Sequence, residues 1–151
     1  LPALERVKAL GGAGHRDRII HDADIPMRVL VAEEDGEIVG YAFLVLATLP
    51  FWTPRYAPQL VDLQVHEDRR DRGIGAALVR ASEKCIREQG GTALFLAVDP
   101  DHNPRALALY RRLGFRPLAT RPVDEPWRFT DSAGIEHSGV DHVIYLEKTL
   151  A

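Results

Sequence analysis

The stretch Leu60–Val79, LVDLQVHEDRRDRGIGAALV, constrains this 151-residue chain more than any other. It opens on an apolar-rich run, Leu60, Val61, Leu63 and Val65, interrupted by Asp62 and Gln64. A charged turn, His66–Arg72, leads through Gly73-Ile74-Gly75 into a run where Ile74, Leu78, Ala81 and Cys85 recur at helical spacing, with Ala77 beside them. The expectation is a strand that turns over glycines into an amphipathic helix. Such a helix start presents unpaired backbone N–H groups and the positive end of the helix dipole. Glycines let that backbone approach a phosphate with no side chain in the way, so the unit suits a phosphorylated ligand. The same turn also serves chains that only pack a helix on a sheet.

Two phosphate-binding patterns are excluded at once. The dinucleotide fingerprint needs three glycines at G-x-G-x-x-G, and the nucleotide P-loop ends in Gly-Lys-Ser/Thr. Neither is present. A net charge of −3 argues against a nucleic-acid surface as the main function. The lone Cys85 excludes an intrachain disulfide and, on the helical stripe, reads as a small core residue rather than a nucleophile. No apolar run approaches the roughly 20 residues of a membrane span and nothing resembles a signal peptide, so no membrane partner is expected and cytoplasm is the default. The chain opens on Leu1 rather than methionine, which leaves room for an upstream segment.

Taken in order, Leu4, Val7 and Leu10 make a short helical pattern that stops at Gly11-Gly12, and a second weak piece covers Arg16–Ala23. Arg28–Ala32 and Ile38–Leu49 read as strands joined by a hairpin with Asp35-Gly36 at its tip. The second is almost wholly apolar, as expected of a strand covered on both faces. Pro50–Pro58 is a loop with three prolines and three aromatics, able to line a ligand mouth or to fold back on the core. Gly90-Gly91 ends the central helix, and Thr92–Val98 is another buried strand. Asn103-Pro104 is an N-cap followed by proline at the first helical position. Ala106, Leu109, Tyr110 and Leu113 form the stripe of a helix that Gly114 closes. Phe115–Thr120 is a short strand, Arg121–Gly139 a long loop or irregular excursion, and Asp141–Leu150 the last strand. The order predicts a single domain over residues 1–151: a mixed α/β sheet, antiparallel in its first half, with a right-handed strand–helix–strand crossover in the middle.

Arg70-Asp71-Arg72-Gly73-Ile74-Gly75 resembles the acyl-CoA pyrophosphate loop, Arg/Gln-x-x-Gly-x-Gly/Ala, of the GNAT superfamily of N-acetyltransferases. Three further pieces match: Leu63-Gln64-Val65 upstream of the loop, Asn103 with Tyr110 seven residues on, and Leu113-Gly114-Phe115 in a Tyr-x-x-x-Gly-Phe ending. The resemblance runs in register from about Arg28 to Arg116. It implies the GNAT-like acyltransferase fold, whose first strand is not found before Leu4. It implies acetyl-CoA as co-substrate, with the backbone of Leu63, Gln64 and Val65 along its pantetheine arm. The N–H groups of Arg70, Asp71, Arg72, Gly73, Ile74, Gly75 and Ala76 would then cradle the pyrophosphate, and Asn103 and Tyr110 would complete the cofactor site. Arg69, Arg70 and Arg72 would add charge-assisted contacts; the plainer reading is a solvated turn balanced by Glu67, Asp68 and Asp71.

Acetyl transfer to an amine needs a base for the amine, donors for the tetrahedral oxyanion and a proton for the leaving thiolate. By resemblance Tyr110 is the general acid that protonates sulfur, although its place on the apolar stripe equally suits a core aromatic. The base is open. Ribosomal-protein alanine acetyltransferases carry a glutamate late in the strand after the central helix, where this chain has Ala97 or Val98. Polyamine acetyltransferases carry Glu-Asp in the central strand, where this chain has Val61-Asp62. Asp62 is therefore the candidate, because a carboxylate within a central strand must face a polar cleft. Asp99, a water relay, or loss of the proton to solvent are the alternatives. The six histidines show no metal-ligand spacing, and no metal is expected.

The leading expectation is an acetyl-CoA-dependent N-acetyltransferase acting on a small-molecule or peptide amine by direct attack in a ternary complex. A non-catalytic acyl-CoA-binding or regulatory module on the same fold is the rival, and a purely structural α/β domain the third reading. Pairing through the last strand or the Arg121–Gly139 excursion would suit a homodimer.

Overall fold

The computed structural model describes residues 26–48 and 53–151. The helical pieces expected at Leu4–Leu10 and Arg16–Ala23, and the end of the second strand at Leu49, lie outside those residues. Within them the chain runs β1 (Met27–Glu34), β2 (Glu37–Val45), β3 (Gln59–Val65), a single 3-10 turn (Glu67–Arg69) and α1 (Ile74–Glu88). It continues through β4 (Ala93–Val98), α2 (Pro104–Arg112), β5 (Arg116–Pro117), β6 (Val123–Thr130) and β7 (Glu136–Thr149). The strands form one seven-stranded sheet in the order β1-β2-β3-β4-β7-β5, with β6 paired to β7. Pairing is antiparallel throughout except between β3 and β4, which the α1 crossover makes parallel. No helix among the described residues is long and apolar enough to cross a membrane.

Local chemistry sets most of these boundaries. Asp35 and Gly36 both have positive φ, 53° and 80°, which is the two-residue turn that matches strand twist in a tight hairpin. β2 is buried from Ile38 to Val45 and stops there, short of the Leu49 expected from its composition. α1 leaves through Gly90 at φ 80°. α2 ends on a full Schellman motif: Gly114 at φ 97° donates to the Arg111 carbonyl at 3.1 Å, and the Phe115 N–H donates to the Tyr110 carbonyl at 3.0 Å. The accompanying apolar contact is the Tyr110 ring edge-on to Phe115, with centroids 6.1 Å apart. The spacing of Tyr-x-x-x-Gly-Phe is therefore, first of all, the geometry of a helix that stops.

Alternation divides the sheet into two faces. Leu60, Leu94, Leu96, Val98, Ile144 and Leu146 join Leu78, Val79 and Ile86 of α1 and Tyr110 in the main core. On the opposite face Ile38, Tyr41 and Phe43 cluster with Val61. The buried positions of α1 are Leu78, Val79, Ser82, Glu83 and Ile86, with Ile74 and Cys85 packed against the same core, so the stripe is wider than expected on one side and Ala77 and Ala81 are exposed. The Ser82 hydroxyl donates to the Leu78 carbonyl at 2.9 Å, and Glu83 pairs with Lys148 Nζ at 2.6 Å.

The expectations fail after α2. The stretch read as a loop over Arg121–Gly139 is mostly strand: β6 and the first part of β7 form a ribbon paired from Val123–Val143 to Thr130–Glu136. Pro122, Pro126, Gly134 and Gly139 disguise it. Pro126 is tolerated because β6 lies at the sheet edge, where a missing N–H leaves no ladder bond unmade. Gly139 is required because a Cβ there would run into the ring of Trp127, its partner across the ribbon. Asp131 organises the turn, accepting from the N–H groups of Ala133 and Ile135 at 2.9 Å each and meeting His137 Nε2 at 2.7 Å. The last strand accordingly begins at Glu136 rather than Asp141, and β5 is only Arg116–Pro117 rather than Phe115–Thr120.

Candidate functional site

The site begins where two neighbouring strands part. β3 and β4 are in register only at Gln59–Phe95 and Leu60–Leu96, although β3 runs on to Val65 and β4 to Val98. Beyond Leu60 the β3 edge facing β4 therefore carries main-chain N–H and C=O groups with no register partner on β4, open to a strand-like ligand. On its other side β3 pairs with β2, Gly40 with Val65 and Tyr41 with Gln64, with a register shift before Phe43–Val61. That shift is a bulge at Asp62, whose φ is 56°. The extra residue flips the phase of the strand. Leu63 and Val65 pack against the main core with Leu60, whereas Asp62 turns to the opposite face. There its carboxylate accepts from the Tyr41 hydroxyl at 3.5 Å and from Gln64 Nε2 at 3.4 Å.

At the end of β3 the His66 N–H donates to the Val39 carbonyl at 2.7 Å and the 3-10 turn redirects the chain. Asp71 and Gly73 both take positive φ, 65° and 80°, and the first bond of α1 runs from the Ala77 N–H to the Gly73 carbonyl at 3.0 Å. The N–H groups of Ile74, Gly75 and Ala76 precede that bond, so this turn of backbone offers donors to an anion. Gly73 faces open space and is required for its φ; a Cβ at Gly75 would sit 3.4 Å from Leu109 of α2, which brings the two helices together here. Gly40 escaped the sequence reading. A Cβ on it would come within 3.0 Å of the Gln64 carbonyl oxygen and 3.2–3.3 Å of Leu78 and Ile74, so it lets the start of α1 lie flat on β2. A lone glycine in an apolar strand gives no sign of this.

The loop arginines are neither free nor paired as expected. Arg69 and Arg72 both donate to one oxygen of Glu34, at 2.8 and 2.9 Å, fastening the loop to the β1–β2 hairpin. Arg70 Nε donates to the Val65 carbonyl at 3.3 Å. Asp71 pairs with Arg105 in the first turn of α2, and that guanidinium holds the Asp71 carboxyl below its usual range. The loop is thus pinned from both flanks.

Asn103 caps α2, its Oδ1 accepting from the Ala106 N–H at 3.3 Å. Tyr110 is 8% exposed in the main core, and burial pushes its hydroxyl up to about 12, so it stays protonated through the neutral range. Asp99 is committed elsewhere: Oδ1 accepts from the N–H groups of Asp101 and His102 at 3.0 Å each, and Oδ2 meets His102 Nδ1 at 2.8 Å. The His102 backbone bond, ahead of its ring, holds the Asp99 carboxyl low, which makes it a poor proton acceptor. Among the described residues no three His, Cys, Asp or Glu side chains are gathered to hold a metal ion.

A second group of side chains was only partly legible in the sequence. Ala97, the first β4 residue past the fork, pairs with Tyr145 of β7. Tyr56 stacks on Phe95 at 5.1 Å and meets the Tyr145 ring edge-on at 5.0 Å. Arg55 lies 6.0 Å from the Tyr145 ring centroid and is ion-paired to Glu125 of β6. Burial first, and the Glu125 carboxylate second, push the Tyr145 hydroxyl up to about 12. Tyr56 belongs to the loop whose aromatics the sequence already marks, whereas Glu125 reaches the cluster only because β6 pairs with β7.

The chain is 37% identical over 94 residues to an N-alpha-acetyltransferase of Sulfurisphaera tokodaii, covering 57% of this chain and 54% of that protein. It is 34% identical over 115 residues to the streptothricin acetyltransferase of Streptomyces lavendulae, covering 76% of this chain and 58% of the relative. It therefore spans little more than half the length of these two relatives. Among solved structures, the ribosomal-protein-S18-alanine N-acetyltransferase from Escherichia coli superposes with a TM-score of 0.67 at 17% identity, over 98% of this chain and 88% of that one, which shows the shared fold. Residues 7–115 match the family described as the Acetyltransferase (GNAT) family. With that match spanning well over half its length, and with fork, glycine loop and helix pair disposed as described, the chain belongs to the GNAT family of acetyltransferases.

Proposed function

We propose that this chain, read as one domain over residues 1–151, is an acetyl-CoA-dependent N-acetyltransferase that transfers directly to an amine. The observation that carries the reading is the fork between β3 and β4, closed at its far end by the glycine-bearing start of α1. The edge of Leu63, Gln64 and Val65 receives the amide-containing arm of the cofactor, and the backbone from Arg70 to Ala76 receives its pyrophosphate. The two faces then divide the chemistry. Tyr110 belongs to the helix face, whereas Asp62 turns to the opposite one beside Tyr41. The amine nitrogen attacks the thioester carbonyl from the Asp62 face and gives up its proton to Asp62, directly or through water. The C–N bond forms, the C–S bond breaks, and Tyr110 delivers a proton to the departing sulfur.

Calorimetry with acetyl-CoA tests the reading. Micromolar binding is expected in the wild-type chain and its loss in Gly73→Val, where φ of 80° strains any side chain and disorganises the loop. A flat isotherm from a folded wild-type protein would sink the proposal. One observation favours the rival binding module: Asp99 is committed to its own turn, and Ala97 or Val98 stands where ribosomal-protein alanine acetyltransferases carry a glutamate. Release of free thiol in the presence of an amine decides against that module.

A further inference from the structure

Tyr56, Phe95 and Tyr145 line the sheet face opposite the helices, immediately beside the fork. Aromatic faces with a carboxylate next to them are what binds an organic cation, through ring quadrupoles and charge together. Here the carboxylate is Glu125, and the cation already in place is the chain's own Arg55. The Glu125 side chain is 24% exposed and that of Arg55 49%, so the acid belongs to the wall and the arginine is laid over it from the loop. The same face carries a buried polar atom beside the cluster. Gln59, the register partner of Phe95 on this face, is 4% exposed, and its Oε1 is buried with no hydrogen-bond partner. An orphaned buried carbonyl oxygen is rare in a folded chain and calls for an N–H donor.

We propose that this cluster is the subsite for a second positive charge on the acceptor, and that Arg55 occupies it as an internal stand-in when the acceptor is absent. The acceptor class is then an amine with another cationic centre: one nitrogen enters the fork, and the other displaces Arg55 from Glu125 and the tyrosine rings. The inference rests on the transferase reading for its placement beside the thioester. The cation preference itself is read from the cluster alone.

The test titrates 1,5-diaminopentane and n-pentylamine, matched in carbon length, into the full chain with and without saturating CoA. The diamine is expected to bind at least tenfold more tightly. Glu125→Gln is expected to erase that difference, and Arg55→Ala to tighten the diamine at least threefold while acetyl-CoA affinity stays put. Arg55→Ala keeps the test open should Glu125→Gln unfold the ribbon. Equal binding of the two amines in the wild type overturns the inference, as does a diamine that binds more weakly to Arg55→Ala. Failure of the transferase reading shows separately, as absent acetyl-CoA binding in CoA-free preparations in which Glu125→Gln still weakens the binding of the diamine.

Discussion

Tyr110 answers two demands with one side chain. Its ring completes the end of α2 against Phe115, and its hydroxyl is the one the proposed chemistry uses. Tyr110→Phe keeps the ring contact and removes only the proton, so turnover should fall about a hundredfold with acetyl-CoA affinity unchanged. The same substitution has a signature in alkali. With a folded value of about 12 against 10.0 for a free tyrosine, the stability contributed by neutral Tyr110 is complete below pH 10 and is lost as pH rises through 12. The Phe variant should lose less of its stability over that window in a urea series; an identical profile would show that the hydroxyl is not buried in solution. Gly40 makes the opposite case, a residue that matters for what it lacks. Gly40→Val should cost about 2 kcal/mol by driving α1 off β2, read from the urea midpoint. Tyr110 could be found in the sequence because its spacing is local, whereas the need for Gly40 arises only once α1 has come to lie on the sheet.

At the level of elements the same division holds. The Asp35-Gly36 turn, the glycine start of α1 and the Asn103-Pro104 cap are each written within a few residues, and each appears where the sequence puts it. β6 is not written locally. Its strand character comes from pairing with β7, and Pro126 and the Gly139–Trp127 fit make sense only across that pair. Asp62 shows a subtler gap: the carboxylate was legible, but the bulge that turns it away from the main core was not. Two elements can be tested directly. Gly114→Ala, at φ 97°, should destabilise the end of α2 by about 1 kcal/mol. In the ribbon, Asp124 raises the value of its cross-strand partner His142 above 6.5. That support is full below pH 6.5 and lost as pH rises through the raised value, so amide exchange in β6 should quicken over that interval. The change is small, since both side chains are exposed.

Across the whole molecule, one buried contact ties the central helix to the last strand. Glu83 on α1, with its side chain 3% exposed, holds Lys148 Nζ at 2.6 Å and has Arg87 at 3.7 Å. Lys148→Met leaves that carboxylate buried with only the longer contact, which should destabilise the fold by about 3 kcal/mol; Glu83→Leu with Lys148→Met should recover most of it. Thermal unfolding of the three proteins checks both statements. The tie matters because of how the sheet is sewn. β1–β3 form one plate and β4–β7 another, and two residue pairs at Gln59 and Leu60 stitch them edge to edge, with α1 lying across the seam. In mechanical terms this is a perforated line. Pulled apart from opposite edges, the molecule should tear first along that seam, and a backbone-like chain laid into the gap is a splint that moves the weakest line elsewhere.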